Sequence, residues 1–197
     1  MREFLMYSNK GVTSDDFTLK DLPGSGGRTD LNARCVISAL WLSRDLRRDS
    51  KITFSLNGPP EPPLAMAFDG KDLQRVTPDE RNISLWIKKI LKQKEEVGRN
   101  WSKAHDGIHI ARKNFRDLIR EREDGDMHIL HENGEDIRKS SPEEDSIFIL
   151  GDHIGLPEKE MDFLEKFGIK KISLGPKSYF SSQSITLVHN ELDRKNI

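Results

Sequence analysis

Residues 148–155 read Phe-Ile-Leu-Gly-Asp-His-Ile-Gly, and this short stretch decides how the rest of the chain is read. An apolar run too short for a helix ends in two glycines that bracket an acid and a histidine, the composition of a buried strand emptying into a tight polar loop. Gly151 is expected to let backbone come close to a ligand or to take a conformation closed to other residues, and Gly155 to let the chain turn away. Two neighbouring stretches repeat the pattern. Met127–His131 opens into HENGEDI (131–137) and Lys171–Leu174 into GPKSYFSSQ (175–183), as Ser146–Leu150 opens into GDHIGLP (151–157). Glu158–Phe167 and Ser182–Lys195 carry apolar residues at helical spacing, Met161 and Leu164 in the first and Ile185, Val188 and Leu192 in the second. Strands alternating with helices predict an α/β fold on a parallel sheet with flanking helices. In such sheets ligands collect outside the carboxyl ends of the strands, where these three loops would lie.

Working outward, residues 2–8 read as a strand. Thr29-Asp30 is placed to cap a helix running from Leu31 to about Leu46. Lys51–Leu56 and Leu64–Phe68 flank a loop with four prolines (57–63) and are expected to pair as a hairpin. Thr77-Pro78-Asp79-Glu80 supplies a cap, a first-turn proline and an acid ahead of Ile83, Trp86, Ile87, Ile90 and Leu91. Phe115, Leu118 and Ile119 mark a shorter helix ending in a charge run.

Composition bounds the rest. A chain of 197 residues without a Ser/Gly-rich linker fits one domain, 1–197. Apolar residues make up 35% and charged residues 33%, so the core is expected to be modest and partly completed by a partner subunit, in a homodimer built partly from the helices at Ser182–Lys195 and Glu158–Phe167. Lys and Arg (32) nearly cancel Asp and Glu (33), which confines any basic surface to a local patch. Cys35 lies in an apolar run and reads as a buried small hydrophobe. No apolar run approaches the ~20 residues of a membrane span, and the opening Met-Arg-Glu-Phe-Leu-Met-Tyr is too quickly polar for a signal peptide, so a cytoplasmic protein is expected.

Other motifs stay open. PGSGG (23–27) is either an anion cradle or an ordinary loop, since it lacks the Gly-Lys-Ser/Thr ending of a P-loop and the dinucleotide fingerprint. The pairs His105/His109 and His128/His131 have no ligand pattern to complete a metal site. Arg44–Arg48 and Arg112–Arg120 concentrate arginine, either for phosphates or for salt-bridged solvent faces. Without a Gly-x-Ser-x-Gly elbow a hydrolase is disfavoured, as is an oxidoreductase without Gly-x-Gly-x-x-Gly.

Taken in order, DLPGSGGRTDLNARC, RRD, VTPDERNI, LHENGED, GDHIG, ISLGP and ITLVHNELD make the chain resemble the archaeal tRNA pseudouridine-54 N(1)-methyltransferase family, of the SPOUT class. The resemblance implies a C-terminal trefoil knot within about 127–197, S-adenosylmethionine as cofactor, tRNA as substrate and a homodimer, with neither metal nor membrane. It places the cofactor at Leu130, at Gly151, and at Leu174, Gly175, Pro176, Lys177, Ser178 and Tyr179 with Ser184. The family pattern has Cys at the place of Ser184, so backbone groups are expected to carry the contacts to the adenine edge. Asp30 and Arg28 are candidates for orienting the base, accepting its proton or binding phosphate, or alternatively for bracing their helix; Asp152 is a further candidate. Two other functions stay open beside this one, a sibling enzyme acting on pseudouridine in ribosomal RNA and a non-catalytic RNA-binding dimer on the same fold.

Overall fold

The computed structural model describes residues 1–196; Ile197, the last residue of the anticipated domain, lies outside them. The strands are β1 (Arg2–Ser8), β2 (Ser50–Leu56), β3 (Leu64–Asp69), β4 (Ser102–His105), β5 (Ile108–Ala111), β6 (Met127–Asp136), β7 (Ile147–Gly151) and β8 (Lys170–Ser173). Among them run the helices α1 (Thr29–Leu40), α2 (Glu80–Leu91), α3 (Phe115–Arg120), α4 (Glu158–Lys166) and α5 (Ser181–Arg194). All eight strands form one sheet in the order β4-β5-β3-β2-β1-β7-β6-β8. Pairing is parallel from β2 through β1, β7 and β6 to β8, and antiparallel among β2, β3, β5 and β4.

Strand alternation sorts the core into two layers. From β1 and β7, Phe4, Met6, Phe148 and Leu150 face α1, α2 and α5, while Leu5, Tyr7, Ile147 and Ile149 face α3 and α4. A strand covered by helices on both sides must be apolar on both, which is why FLMY and IFIL read as unbroken runs. The sheet ends are blunt. Strand β4 has four residues, an exposed Lys103 and a register shift between Lys103 and His105. At the other end β8 also has four residues and exposes Lys170.

Several expectations shift. Helix α1 stops at Leu40, not Leu46, because Trp41 turns extended and bridges back to Leu46. Residues 44–48 are therefore not helical. Arg47 pairs with Asp193 at 2.5 Å, and Arg48 donates to the carbonyls of Gly70 and Leu73. Neither Thr29 nor Asp30 caps α1: Arg28 holds the N-cap position with φ 67° and no side-chain cap, and the Thr29 hydroxyl donates back to Gly26 O. In α2 the cap is Asp79, which accepts from Asn82 N at 2.8 Å, while Thr77 donates to the Asp79 carboxylate. The glycines of 23–27 are packed: a Cβ on Gly27 would lie 1.9 Å from Lys10 O, and the carboxylate of Asp21 already accepts from the amides of Gly24 and Ser25. The hairpin β4–β5 has no counterpart in the expectations above, although Asp106-Gly107, with Gly107 at φ 73°, carries its turn.

Candidate active site

Three parallel strands, β6, β7 and β8, bring their carboxyl ends to one place. In β6, Leu130 and Glu135 both pair with Ile172, so residues 131–134 loop out between them. Gly134 makes this possible, because a Cβ there would lie 2.6 Å from the backbone N and C of Ile172. The loop after β7 is held from a distance. Asp152, 7% exposed, accepts from Asn9 N at 2.7 Å, Asn9 Nδ2 at 2.8 Å and Ile154 N at 2.9 Å, and Asn9 Nδ2 also donates to Gly155 O. Gly155 sits at φ 90°, in the left-handed region, where the chain turns away. After β8, Gly175 takes φ 122°, Ser178 donates to Glu132 at 2.7 Å, and Ser181 at the start of α5 donates to Gly151 O at 2.9 Å. Each loop is thus tied to another.

Between them lies a cavity of about 360 Å³. Of the residues anticipated for a cofactor, Leu130, Gly151, Leu174, Gly175, Lys177, Ser178, Tyr179 and Ser184 line it, and Pro176 does not. Pro176 sits in the same loop and is exposed. Asp152 lines it as well, and so do His131, Glu132, Leu156, Met161 and Ser181, which sequence reasoning missed. Most of these belong to the same three loops, so the signal was the loops and not any one residue. A wider hollow of about 540 Å³ lies at the amino ends of β6 and β8, away from the strand ends where ligands of open α/β sheets bind.

Arg28 and Asp30 are not on the cavity wall. They stand at the start of α1, which reaches the site through Asn32, whose Oδ1 accepts from Ser8, the residue preceding Asn9. Asp30 is 6% exposed and accepts from Arg28 Nε and Nη2 at 3.1 and 3.2 Å and from Arg34 Nη2 at 2.7 Å. Burial pushes its carboxyl up, but the two guanidiniums outweigh burial and hold it below the usual carboxylate range. Burial raises the Cys35 thiol strongly, as befits a core residue. Among the described residues no group of three or more His, Cys, Asp or Glu is placed to hold a metal ion, and no helix is long and apolar enough to cross a membrane.

Over residues 1–197 the sequence matches the family described as "Putative SAM-dependent RNA methyltransferase". The chain belongs to this family. It is 45% identical to the tRNA (pseudouridine(54)-N(1))-methyltransferase of Methanocaldococcus jannaschii, an alignment covering 100% of this chain and 98% of that protein. It is 46% identical to the protein of the same name from Methanococcus maripaludis, over 98% of this chain and 99% of the other. In fold it resembles the crystal structure of Archaeoglobus fulgidus Nep1 bound to S-adenosylhomocysteine, with a TM-score of 0.62 at 17% identity over 99% of this chain and 98% of that one. That family membership agrees with the motifs from which it was anticipated.

Proposed function

We infer that this chain is an S-adenosylmethionine-dependent methyltransferase acting on N1 of pseudouridine 54 in tRNA. The single observation that carries the reading is the cavity at the ends of three parallel strands in a chain aligned end to end with relatives of that name. The residues present suit the cofactor. Leu130, Leu150, Leu156, Leu174 and Met161 offer apolar walls to a flat base, and the carboxylate of Glu132 suits a cationic sulfonium or ammonium group. Lys177 suits its carboxylate. Bound there, S-adenosylmethionine supplies a methyl group that is already activated, so the chain's own work is to position the partners and exclude water.

N1 must also lose its proton. Asp152 already accepts three N–H bonds, and Asp30 is clamped by two guanidiniums, so we assign both to positioning, Asp152 by fixing its loop and Asp30 by fixing Arg28 and Arg34. The reading includes a trefoil knot in 127–197, one domain over 1–197, a homodimer and a cytoplasmic location. Supporting the knot, β6 pairs Ile172 twice with Gly134 pressed on its backbone, while α5 goes on from β8 to pack against α1. For the dimer, the apolar residues Ile185, Val188 and Leu192 of α5 are buried within their own chain and unavailable. Exposed Ile154, Tyr179 and Phe180, on the loops around the cavity, are the surface we assign to it.

Incubation with methyl-labelled S-adenosylmethionine tests the activity. Label should enter tRNA carrying pseudouridine at position 54 and not the same tRNA carrying uridine. Equal labelling of both, or of neither, would remove this function.

A further inference from the structure

A second cavity, of about 470 Å³, opens on the α3–α4 face at the carboxyl ends of β1 and β2. Tyr7 lines it, 7% exposed and edge-on to Phe115 with ring centroids 5.2 Å apart. This tyrosine is the strand partner of Gly151, and its carbonyl accepts from Asp152 N at 3.1 Å. Glu160 and Met161 are consecutive on α4, and the first lines this cavity while the second lines the cofactor cavity. The two cavities therefore flank the same strand end and the same helical turn.

What distinguishes the second cavity is which of its polar groups are still unused. Of its side-chain acceptors, Glu160 Oε2 takes Arg116 Nε at 2.9 Å, Asn114 Oδ1 takes Asp117 N at 2.9 Å and Asn57 Oδ1 takes Ser55 Oγ at 3.5 Å, while Glu160 Oε1 faces Lys159 Nζ at 4.0 Å. Among the described residues, the Tyr7 hydroxyl, Asn114 Nδ2 and Arg116 Nη1 make no hydrogen bond, and Lys159 Nζ comes only within 4.0 Å of Glu160. Arg116 is held ready by Glu160, by the Lys159 carbonyl and by the ring of Phe163, 4.9 Å from its guanidinium carbon. Burial first, then the charges of Glu160 and Asp152, raise the Tyr7 pKa and keep its hydroxyl a donor. With Arg116 and Lys159 set against the single carboxylate of Glu160, and the neutral donors of Tyr7 and Asn114 beside them, the pocket has a surplus of positive charge and of donors and selects an anion rich in acceptors. Arg116 also belongs to the arginine run that the sequence left open between phosphate contacts and salt bridges.

We propose that this cavity binds a phosphodiester of the tRNA strand, beside the nucleotide presented to the cofactor cavity. The proposal rests on the methyltransferase reading and supplies its substrate with an anchor that fixes register without reading sequence.

Binding of pseudouridine-containing tRNA, measured by fluorescence anisotropy with S-adenosylhomocysteine present, tests it in wild type, Tyr7→Phe and Lys159→Gln. Tyr7→Phe keeps the ring against Phe115 and should weaken tRNA binding roughly tenfold. Lys159→Gln should weaken it too and lower the slope of log affinity against log salt by about 0.7–0.9. Cofactor-product affinity of the free protein, by calorimetry, should match wild type in both. Wild-type tRNA affinity and salt slope in both variants would overturn the site. Inorganic phosphate at matched ionic strength is the other arm: micromolar binding of phosphate together with unaltered tRNA affinity in Tyr7→Phe would mark a free-phosphate site and also overturn it. Wild-type protein that binds this tRNA without methylating it would sink the activity and leave the phosphodiester site to be decided by the same variants.

Discussion

At Gly151 an added Cβ would lie 2.4 Å from the carbonyl carbon of Gly155 and 2.6 Å from the amide nitrogen of Leu156, so its own loop needs the glycine before any ligand does. Gly151→Ala is accordingly expected to cost about 1–3 kcal/mol of stability, as overpacking against backbone does. Because Asp152, Gly155 and Leu156 line the cavity, affinity for S-adenosylmethionine should fall at least about tenfold with it, a loss of about 1.4 kcal/mol in binding. Calorimetric melting and titration measure both, and lost binding at an unchanged melting temperature would return Gly151 to the role of admitting a ligand. The sequence made a special glycine legible here, a strand end followed by polar residues, but not its reason. That reason depends on how 152–155 folds, and Asn9, 143 residues away, fixes that fold. Asp30 is similar: its place beside an arginine was visible, whereas its second clamp, Arg34, makes it a poor proton acceptor and became evident only with the helix built.

Helix α5 shows how an element can be found by periodicity without its packing partner being fixed. Ile185, Val188 and Leu192 at helical spacing predict a buried face, and spacing alone does not say whether the face meets this chain or a copy of it. The structure turns it inward, and His189 shares that burial. His189 Nε2 contacts Ala39 O of α1 at 3.0 Å, Nδ1 contacts Arg2 Nη1 of β1 at 3.1 Å, and the ring stands edge-on to Phe4. Burial, reinforced by the nearby Arg47 charge, lowers its pKa to about 3. Neutral imidazole then donates to Ala39 and accepts from Arg2. Since the folded pKa lies below the unfolded one, the unfolded chain takes up a proton that the fold refuses once the pH drops under about 6.5. Stability should fall with pH from there toward about 3 and show no effect of this group above 6.5. Between pH 7 and 5 the loss is about 2 kcal/mol at one proton per molecule. Denaturant titrations at both pH values should show this loss in wild type and a smaller one in His189→Gln; equal losses would clear His189.

For the molecule as a whole, the parallel half was legible because three short apolar runs each ended in turn chemistry. The antiparallel half was only partly so: the proline loop announced β2 and β3, while β4 and β5 are four residues each and too short to show a period. The strand order and the double pairing of Ile172 were not legible, since they arise from contacts distant in the chain. Assembly is the remaining question at this scale. Light scattering should give about twice the 22.6 kDa chain mass, and Phe180→Glu, at a side chain 75% exposed beside the cavity, should shift it toward a single chain. A dimer undisturbed by that change, and by Ile154→Glu, would move the interface elsewhere. The blunt ends of the sheet set a further condition on any such pair. An open sheet grows most easily by adding strands at its borders, the route by which β proteins pass into fibrils. Here one border is a four-residue strand with a lysine and a break in register, and the other exposes Lys170 on a strand equally short. Both borders are thus poor templates for strand-by-strand growth, so a pair that meets through the loops around the cavity stays finite and is not extended into a polymer.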